Sequence, residues 1–262
     1  MPAPLAASRI AAAIECRYGT ALDAPAGLPH LDAFAALNAR SVCRRYRSDP
    51  VPEELVRLLC ATALAAPTKS DLQQATIVRV ADAAKRAAIC ALLPGSPWLK
   101  TAPELLIFCA DGWRFRKLFE KKKAAFVNEH LDAFFNATVD AAIVLGTFVA
   151  AAELAGLGSC PISQIRDHVA KIDALLGLPN WVIPVAGLAL GYPATKEPMS
   201  ARLSLSATVH TDRYDTAAVE RELDAYDARR GKDWSGDKVK QYSTVWRADF
   251  GDFVRRKRFR LE

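Results

Sequence analysis

Residues 136–166, NATVDAAIVLGTFVAAAELAGLGSCPISQIR, constrain the fold most tightly. Up to Leu154 the stretch is apolar on every side for about five helical turns, with Asp140 and Glu153 its only charges. A helix with no polar face has to be covered on all sides. Its apolar run is interrupted and rich in Ala and Gly, so it reads as the central helix of a soluble core and not as a membrane span. Gly156 and Gly158 end it, because glycine suits a left-handed cap and a sharp exit. The chain then leaves as a loop through Ser159-Cys160-Pro161-Ile162-Ser163-Gln164, ahead of Arg166 and a new helix. A loop leaving a buried helix is held rigidly, and its backbone N–H groups are available to a ligand.

The rest of the chain can enclose such a helix. Its 262 residues, 51% hydrophobic and 24% charged, suit one large domain and stand far from disorder. Six cysteines, at 16, 43, 60, 90, 109 and 160, include no CxxC pair, which leaves zinc-ribbon and thioredoxin readings without support. Most neighbour apolar residues and read as small core hydrophobes in a reducing cytosol. Arg9 and Glu15 interrupt the first apolar runs, so no signal-peptide core is present and a cytoplasmic location is expected. The formal charge of +6 points to anionic partners, either phosphorylated cofactors or nucleic acid.

Periodicity and punctuation give the element order. Residues 1–30 read as an N-terminal extension with a short helix over 8–17, and 31–37 as a helix. Pro52-Glu53-Glu54 opens a helix that stops at Ala66-Pro67. Strands are expected at ATIVRV (75–80), at the apolar run 104–110 and at 181–193. Helices are expected over 81–93, 165–176 and 217–229, and loops over 194–210 and 229–235. Residues 112–130, basic and aromatic, read as a solvated face. No linker longer than a loop divides the chain, so one α+β domain is expected over 31–262.

Three polar stretches stand out. Arg40, Arg44, Arg45 and Arg47, with Ser41 between them, can clamp a phosphate, because a guanidinium offers a planar fork of donors. The alternative is a solvated basic turn. Thr68-Lys69-Ser70-Asp71-Leu72-Gln73-Gln74 can hydrogen-bond a heteroaromatic edge, or can simply satisfy its own backbone. The exit loop at 159–164 is the third. There is no GxGxxG after a strand, no P-loop and no HExxH. The histidines at 30, 130, 168 and 210 are isolated and read as structural, and no metal site is expected.

Four stretches, in order, carry a resemblance: Arg40-Ser41-Val42-Cys43-Arg44-Arg45-Tyr46 with Pro50-Val51; Ala65-Ala66-Pro67-Thr68-Lys69-Ser70-Asp71-Leu72-Gln73; Glu153-Leu154-Ala155-Gly156-Leu157-Gly158-Ser159-Cys160-Pro161-Ile162; and Gly187-Leu188-Ala189-Leu190-Gly191-Tyr192-Pro193. From about residue 31 onward the chain resembles the FMN-dependent nitroreductase family, and within it the oxygen-insensitive NADPH nitroreductase and flavin reductase branch. The resemblance implies an α+β sandwich with a central, mostly antiparallel sheet flanked by helices, and an intertwined homodimer with FMN at its interface. It implies that Arg40, Ser41 and Arg202 hold the FMN phosphate. Arg44 would lie near the pyrimidine edge, where a cation stabilises charge developing on reduction. Thr68 and Ser70 would meet the ribityl chain or ring edge, Ser96 the ring, and the backbone N–H groups of Ser163 and Gln164 N5 and O4. Arg230, Lys232 and Arg247 are the candidates for the 2′-phosphate of the nicotinamide cosubstrate.

The chain departs from the family pattern at Val42, where a hydroxyl is common, with Ser41 beside it. It departs also at Ser200 and Ala201, where a Lys is common, at Asp71, where an amide is common, and in the short basic loop 229–234. That loop leaves NADPH and NADH both open. The implied activity passes hydride from NAD(P)H through flavin N5 to a nitroaromatic, quinone or flavin acceptor by a ping-pong mechanism, with no catalytic protein acid or base. The expected partners are a small-molecule acceptor and a second copy of the chain, with no membrane. Two alternatives stand beside this. One is a family member with other flavin chemistry. The other is a basic nucleic-acid-binding module motivated by Lys121–Lys123 and the arginines at 255–260, which no helix-turn-helix, zinc or RNP-like motif supports.

Overall fold

The elements follow the hydrophobic pattern of the chain. In a computed structural model, which describes residues 3–262, they run α1 (Ala3–Tyr18), α2 (Leu31–Ala39), α3 (Glu53–Leu64), β1 (Ala75–Arg79), α4 (Ala83–Leu92), β2 (Glu104–Asp111), α5 (Trp113–Lys121), α6 (Leu131–Leu154), β3 (Gly158–Ile162), α7 (Val169–Leu176), β4 (Val182–Gly191), α8 (Leu205–Thr208), α9 (Thr216–Arg230), α10 (Trp234–Tyr242) and α11 (Phe250–Arg256). Two compact units form. The first comprises the described residues up to Ser41 with Glu197–Val245; the second comprises Val42–Lys196 with Trp246–Glu262.

The second unit is an α+β sandwich. Its sheet has the order β1-β2-β4-β3, with every pairing antiparallel. The apolar run expected as a strand is β2, buried at every position and flanked by β1 and β4. One face of the sheet packs on α3 and α6 through Val56, Leu59, Val144, Phe148, Leu106, Phe108 and Leu188. Phe108 and Phe148 meet edge to face, 5.5 Å between centroids. The other face packs on α4 and α7 through Ile89, Leu99, Leu105, Ile107, Ile165 and Ile172.

The exit from the central helix corrects the sequence expectation, because 158–162 is an edge strand and not a loop. Its register puts Gly158 opposite Gly191 and Ile162 opposite Gly187. Pro161, which has no N–H to give, is tolerated because the strand is at the edge. The first arginine stretch is tied alongside: Cys43 N–H donates to Ser159 O (3.0 Å), Arg47 N–H to Tyr192 O (2.9 Å), and Ala194 N–H to Arg45 O (2.9 Å). The Tyr46 hydroxyl donates to Cys43 O at 2.6 Å, and burial pushes this phenol well above its ordinary value.

The central helix is α6, one turn longer at its start than its apolar run suggested. It is covered on one face only. Ala133, Ala137, Asp140, Ala141, Val144, Phe148 and Ala152 are buried, while Phe135 is 60% and Val139 37% exposed. A single copy of the chain therefore does not supply the all-round cover that the sequence demands.

The stretch read as solvated and the basic tail are both partly interior. In 112–130, Phe115, Phe119 and Phe126 pack mutually edge to face at 5.0–5.4 Å, and buried Arg116 pairs with Glu129. In the basic tail, α11 buries Phe253 and Val254, and Lys257 is buried against Asp173 at 2.8 Å. Alternation between apolar anchors and charges lets both segments pack while their outer side chains stay wet. Four of the six cysteines are buried and none is joined in a disulfide, as expected of core hydrophobes; burial lifts the Cys109 thiol to about 12. Cys16 is exposed.

In the first unit, α1 packs on α2 through Ile10, Ile14 and Ala35, with Tyr18, Ala24 and Leu31 against them. The helix expected over 8–17 therefore starts earlier, at Ala3. The short α8 interrupts the expected loop at 194–210, and α10, which the sequence reading did not include, is held to α9 by Trp234 against Tyr226 (5.1 Å, edge to face).

Gly158 is required by a close approach: a Cβ there would lie 2.6 Å from Cβ and Sγ of Cys43. Gly158→Ala is expected to cost about 1–3 kcal/mol through overpacking. A chemical-denaturation midpoint unchanged from wild type would show that the Cys43 segment is not packed against β3 as described.

Candidate functional site

The expected site residues fall into three groups. In the first unit, Arg17 lies in the last turn of α1 and is only 7% exposed. Its Nε donates to Asn38 O (2.7 Å), Nη1 to Ser200 O (3.3 Å), and Nη2 to Arg40 O. The Arg17 carbonyl in turn accepts the Arg202 N–H at 2.6 Å. Arg40 and Arg202, named from the sequence, are thus fixed at their backbones around one buried guanidinium, with Ser41 following Arg40 in the chain. Burial first, then the charges of Arg202 and Arg40, lower the Arg17 pKa. Among the described residues, no carboxylate forms an ion pair with any of these three arginines. A cluster of cations with no counter-charge attracts an anion with several acceptor oxygens.

Behind the cluster, further donors secure the carbonyls of residues 201 and 202. Arg229 Nη2 donates to Arg202 O at 2.6 Å, and the Tyr226 hydroxyl to Ala201 O at 3.0 Å. Glu222 joins Arg229 to the backbone by also accepting the Ser204 N–H at 2.8 Å. Burial alone would raise Glu222, but the bonds from Arg229 and Ser204 outweigh it and hold the carboxyl below its ordinary value. Arg230 turns inward, donating from Nη1 to the Tyr226 hydroxyl at 2.7 Å, while Lys232 is exposed.

The second group surrounds the exit from β3. Ser163 and Gln164 open a 3-10 turn, Gln164–His168, whose first amides have no acceptor within the turn. Ser96 is buried, and its hydroxyl donates to the Gln164 side-chain oxygen. Ser96 therefore holds a neighbouring side chain where the sequence expected it on a ring. Arg44 is exposed and lies over Trp98, 4.8 Å from the ring centroid. Arg247 pairs with Asp167, stacks on Trp246 at 4.3 Å, and reaches Ser163 Oγ at 3.5 Å. Burial first and Arg247 second lower the pKa of Arg166, which donates to Val185 O.

The third group is the loop before β1. Asp140 of α6, 2% exposed, accepts from Thr68 Oγ1 (2.8 Å), Lys69 N–H (3.0 Å) and Gln74 N–H (3.1 Å). Thr68 Oγ1 also accepts the Gln73 N–H at 2.8 Å, so its hydroxyl is engaged within the loop. Ser70, Asp71 and Gln73 all have positive φ, 49°, 55° and 52°, a concentration that marks stored strain. Gln74, buried, leaves its side-chain amide nitrogen without a partner beside a cleft of about 360 Å³ lined by Lys69, Phe115, Phe126 and Asn136.

The sequence matches the model of the Nitroreductase family over residues 37–192. The chain belongs to the nitroreductase family. A relative from Bacillus subtilis named FMN reductase (NAD(P)H) is 29% identical over 253 residues, covering 88% of this chain and 99% of its own. An oxygen-insensitive NADPH nitroreductase of Salmonella typhimurium is 30% identical over 200 residues, covering 74% of this chain and 82% of its own. The solved structure of a hypothetical oxidoreductase from Bacillus subtilis superposes with a TM-score of 0.83 at 28% identity, covering 88% of this chain and 99% of that one.

Within a nitroreductase-family chain, the residues that sequence reading missed are the ones that hold others. Asp140 carried a signal, as a lone acid in an apolar helix. Arg17 carried none, because its partners are carbonyls 21 to 183 residues away.

Two outcomes test this geometry. Asp140→Ala orphans the Lys69 and Gln74 amides and is expected to cost about 1–3 kcal/mol. Hydrogen exchange at these two amides should quicken; unchanged protection would mean that Asp140 does not hold the loop. For Glu222 the folded pKa is depressed, so its contribution is present above the ordinary 4.5 and is lost as pH falls through the lower folded value. Glu222→Gln should flatten the acid side of the stability profile, and an unaltered profile would reject the assignment.

Proposed function

We propose that the chain is an FMN-dependent oxidoreductase that uses NADPH or NADH to reduce a small acceptor, a nitroaromatic, a quinone or free flavin. It acts in the cytoplasm as an intertwined homodimer with FMN at the interface, and residues 31–262 form its flavin-binding domain. The observation that carries this reading is the cluster of Arg17, Arg40 and Arg202 with no carboxylate among them. FMN supplies such a cluster with a phosphate dianion, and its heteroaromatic ring suits amide donors such as those of Ser163 and Gln164.

When bound, FMN would supply the redox chemistry, a two-electron transfer from NAD(P)H to the acceptor in two half-reactions, and this chain's residues would hold and orient it. Arg40, Ser41 and Arg202 bind the phosphate. Arg44, kept over Trp98, places a cation toward the pyrimidine edge. The Ser163 and Gln164 N–H groups orient the ring, with the Gln164 side chain fixed by Ser96. Thr68 and Ser70 present the strained loop to the flavin, and Asp140 holds that loop in shape. Of the three cations proposed for a nicotinamide 2′-phosphate, Lys232 is exposed, while Arg230 and Arg247 are held by Tyr226 and Asp167.

The homodimer is supported by α6. Its uncovered side carries Leu131, Phe135 and Val139. An apolar face of this kind on an otherwise buried helix is suited to a second copy of the same helix.

Purified protein is expected to show flavin absorption after desalting, bleached by NADPH or NADH under argon. A colourless protein that takes up no added FMN would reject the reading. The double substitution R40A/R202A should release FMN and leave the dimer intact. F135K/V139K should give a monomer by light scattering that has lost its flavin.

A further inference from the structure

The helix α1 lies outside residues 37–192 matched by the family, yet it delivers Arg17 into the basic cluster. Every carbonyl that the Arg17 side chain bonds belongs to one of the two segments bearing the clamp arginines. It donates to the carbonyls of Asn38 and Arg40 in one segment and of Ser200 in the other, and its own carbonyl accepts the Arg202 N–H. The packing of α1 does not need this residue, because Ile10, Ile14 and Tyr18 already anchor the helix on α2. A buried arginine with no carboxylate is costly to keep. Here its fork is spent on backbone carbonyls, and its charge stays uncompensated beside Arg40 and Arg202.

We propose that Arg17 is a positioning residue for anion binding: α1 is an added strut that sets the spacing of half-buried Arg40 and exposed Arg202 and adds a buried positive charge behind a bound phosphate. The inference rests on the FMN reading of the preceding section. It goes further by giving a phosphate-specific role to a helix outside the matched region. A guanidinium is needed because three carbonyls in different directions require a planar fork; an ammonium would keep the charge but could not span them.

The test compares binding of FMN and of riboflavin, which has the same ring and ribityl chain but no phosphate, to flavin-free wild type, Arg17→Met and Arg17→Lys, by quenching of flavin fluorescence. Wild type should favour FMN. Arg17→Met should weaken FMN by at least about tenfold, the scale of one charge-assisted bond, and leave riboflavin within about twofold. Arg17→Lys should fall between, and salt should weaken FMN less in Arg17→Met than in wild type. If wild type binds both flavins equally, the phosphate clamp fails and this inference with it. If wild type discriminates and Arg17→Met discriminates equally well, only the role of Arg17 is overturned. An equal loss for both flavins also overturns it, since that marks a general loosening of the fold. Should Arg17→Met not fold, Arg17→Lys alone decides: unchanged preference for FMN with unchanged salt dependence refutes the fork argument.

Discussion

A helix that is apolar on every side can be covered by its own sheet on only one. The buried stripe of α6 repeats about every fourth residue, Ala133, Ala137, Ala141, Val144, Phe148 and Ala152, and mostly small side chains let the helix lie close against β2 and β4. Phe148 is the large exception and fills the space beside Phe108. The opposite stripe, with Phe135 and Val139, has no cover in one chain. The same helix therefore builds the core on one side and leaves an apolar stripe exposed on the other. Asp140 sits in the buried stripe as its single charge, where it would be intolerable unless fully bonded.

That requirement links the core to the loop that precedes β1. The Asp140 carboxylate takes two backbone amides and the Thr68 hydroxyl, and in doing so closes 68–74 into a fixed shape. Three residues of that loop sit at positive φ without being glycine. Each such residue costs free energy, of order 1–3 kcal/mol, and persists only where the surroundings over-determine it. A buried carboxylate with three donors is such a surrounding. The strain is thus held by the core helix, which explains how a polar, irregular segment keeps one fixed shape.

Legibility in the sequence followed the range of the interactions. The core helix and the strands β2 and β4 were legible because their apolar runs are continuous and their burial is nearly complete. The strand β3 was not, because Gly158, Ser159 and Pro161 lack strand character and pair only through the fold. The arginine stretch at 40–47 and the loop at 66–74 were legible as polar clusters at element ends. The bond from the Ser96 hydroxyl to Gln164 was not legible, since Gln164 follows 68 residues later and nothing local signals the pairing. The interior parts of 112–130 and of the tail were hidden because charge count outweighed the spacing of Phe115, Phe119, Phe253 and Phe259.

Asp140 and Arg17 answer the same problem with opposite charges. Each is buried, and neither pairs with an opposite charge; Asp140 takes N–H groups and Arg17 gives to C=O groups. A charge satisfied by backbone fixes the chain's path more firmly than one satisfied by a flexible side chain, because several backbone dipoles must hold their directions together. It also leaves the net charge in place. Had Arg17 been neutralised by a carboxylate, the cluster with Arg40 and Arg202 would have been a structural ion pair with little attraction for a phosphate. Hydrogen bonding to carbonyls alone gives the fixed geometry of a salt-bridged core and keeps the positive charge, and it gives an added helix a chemical reason to sit beside these two arginines.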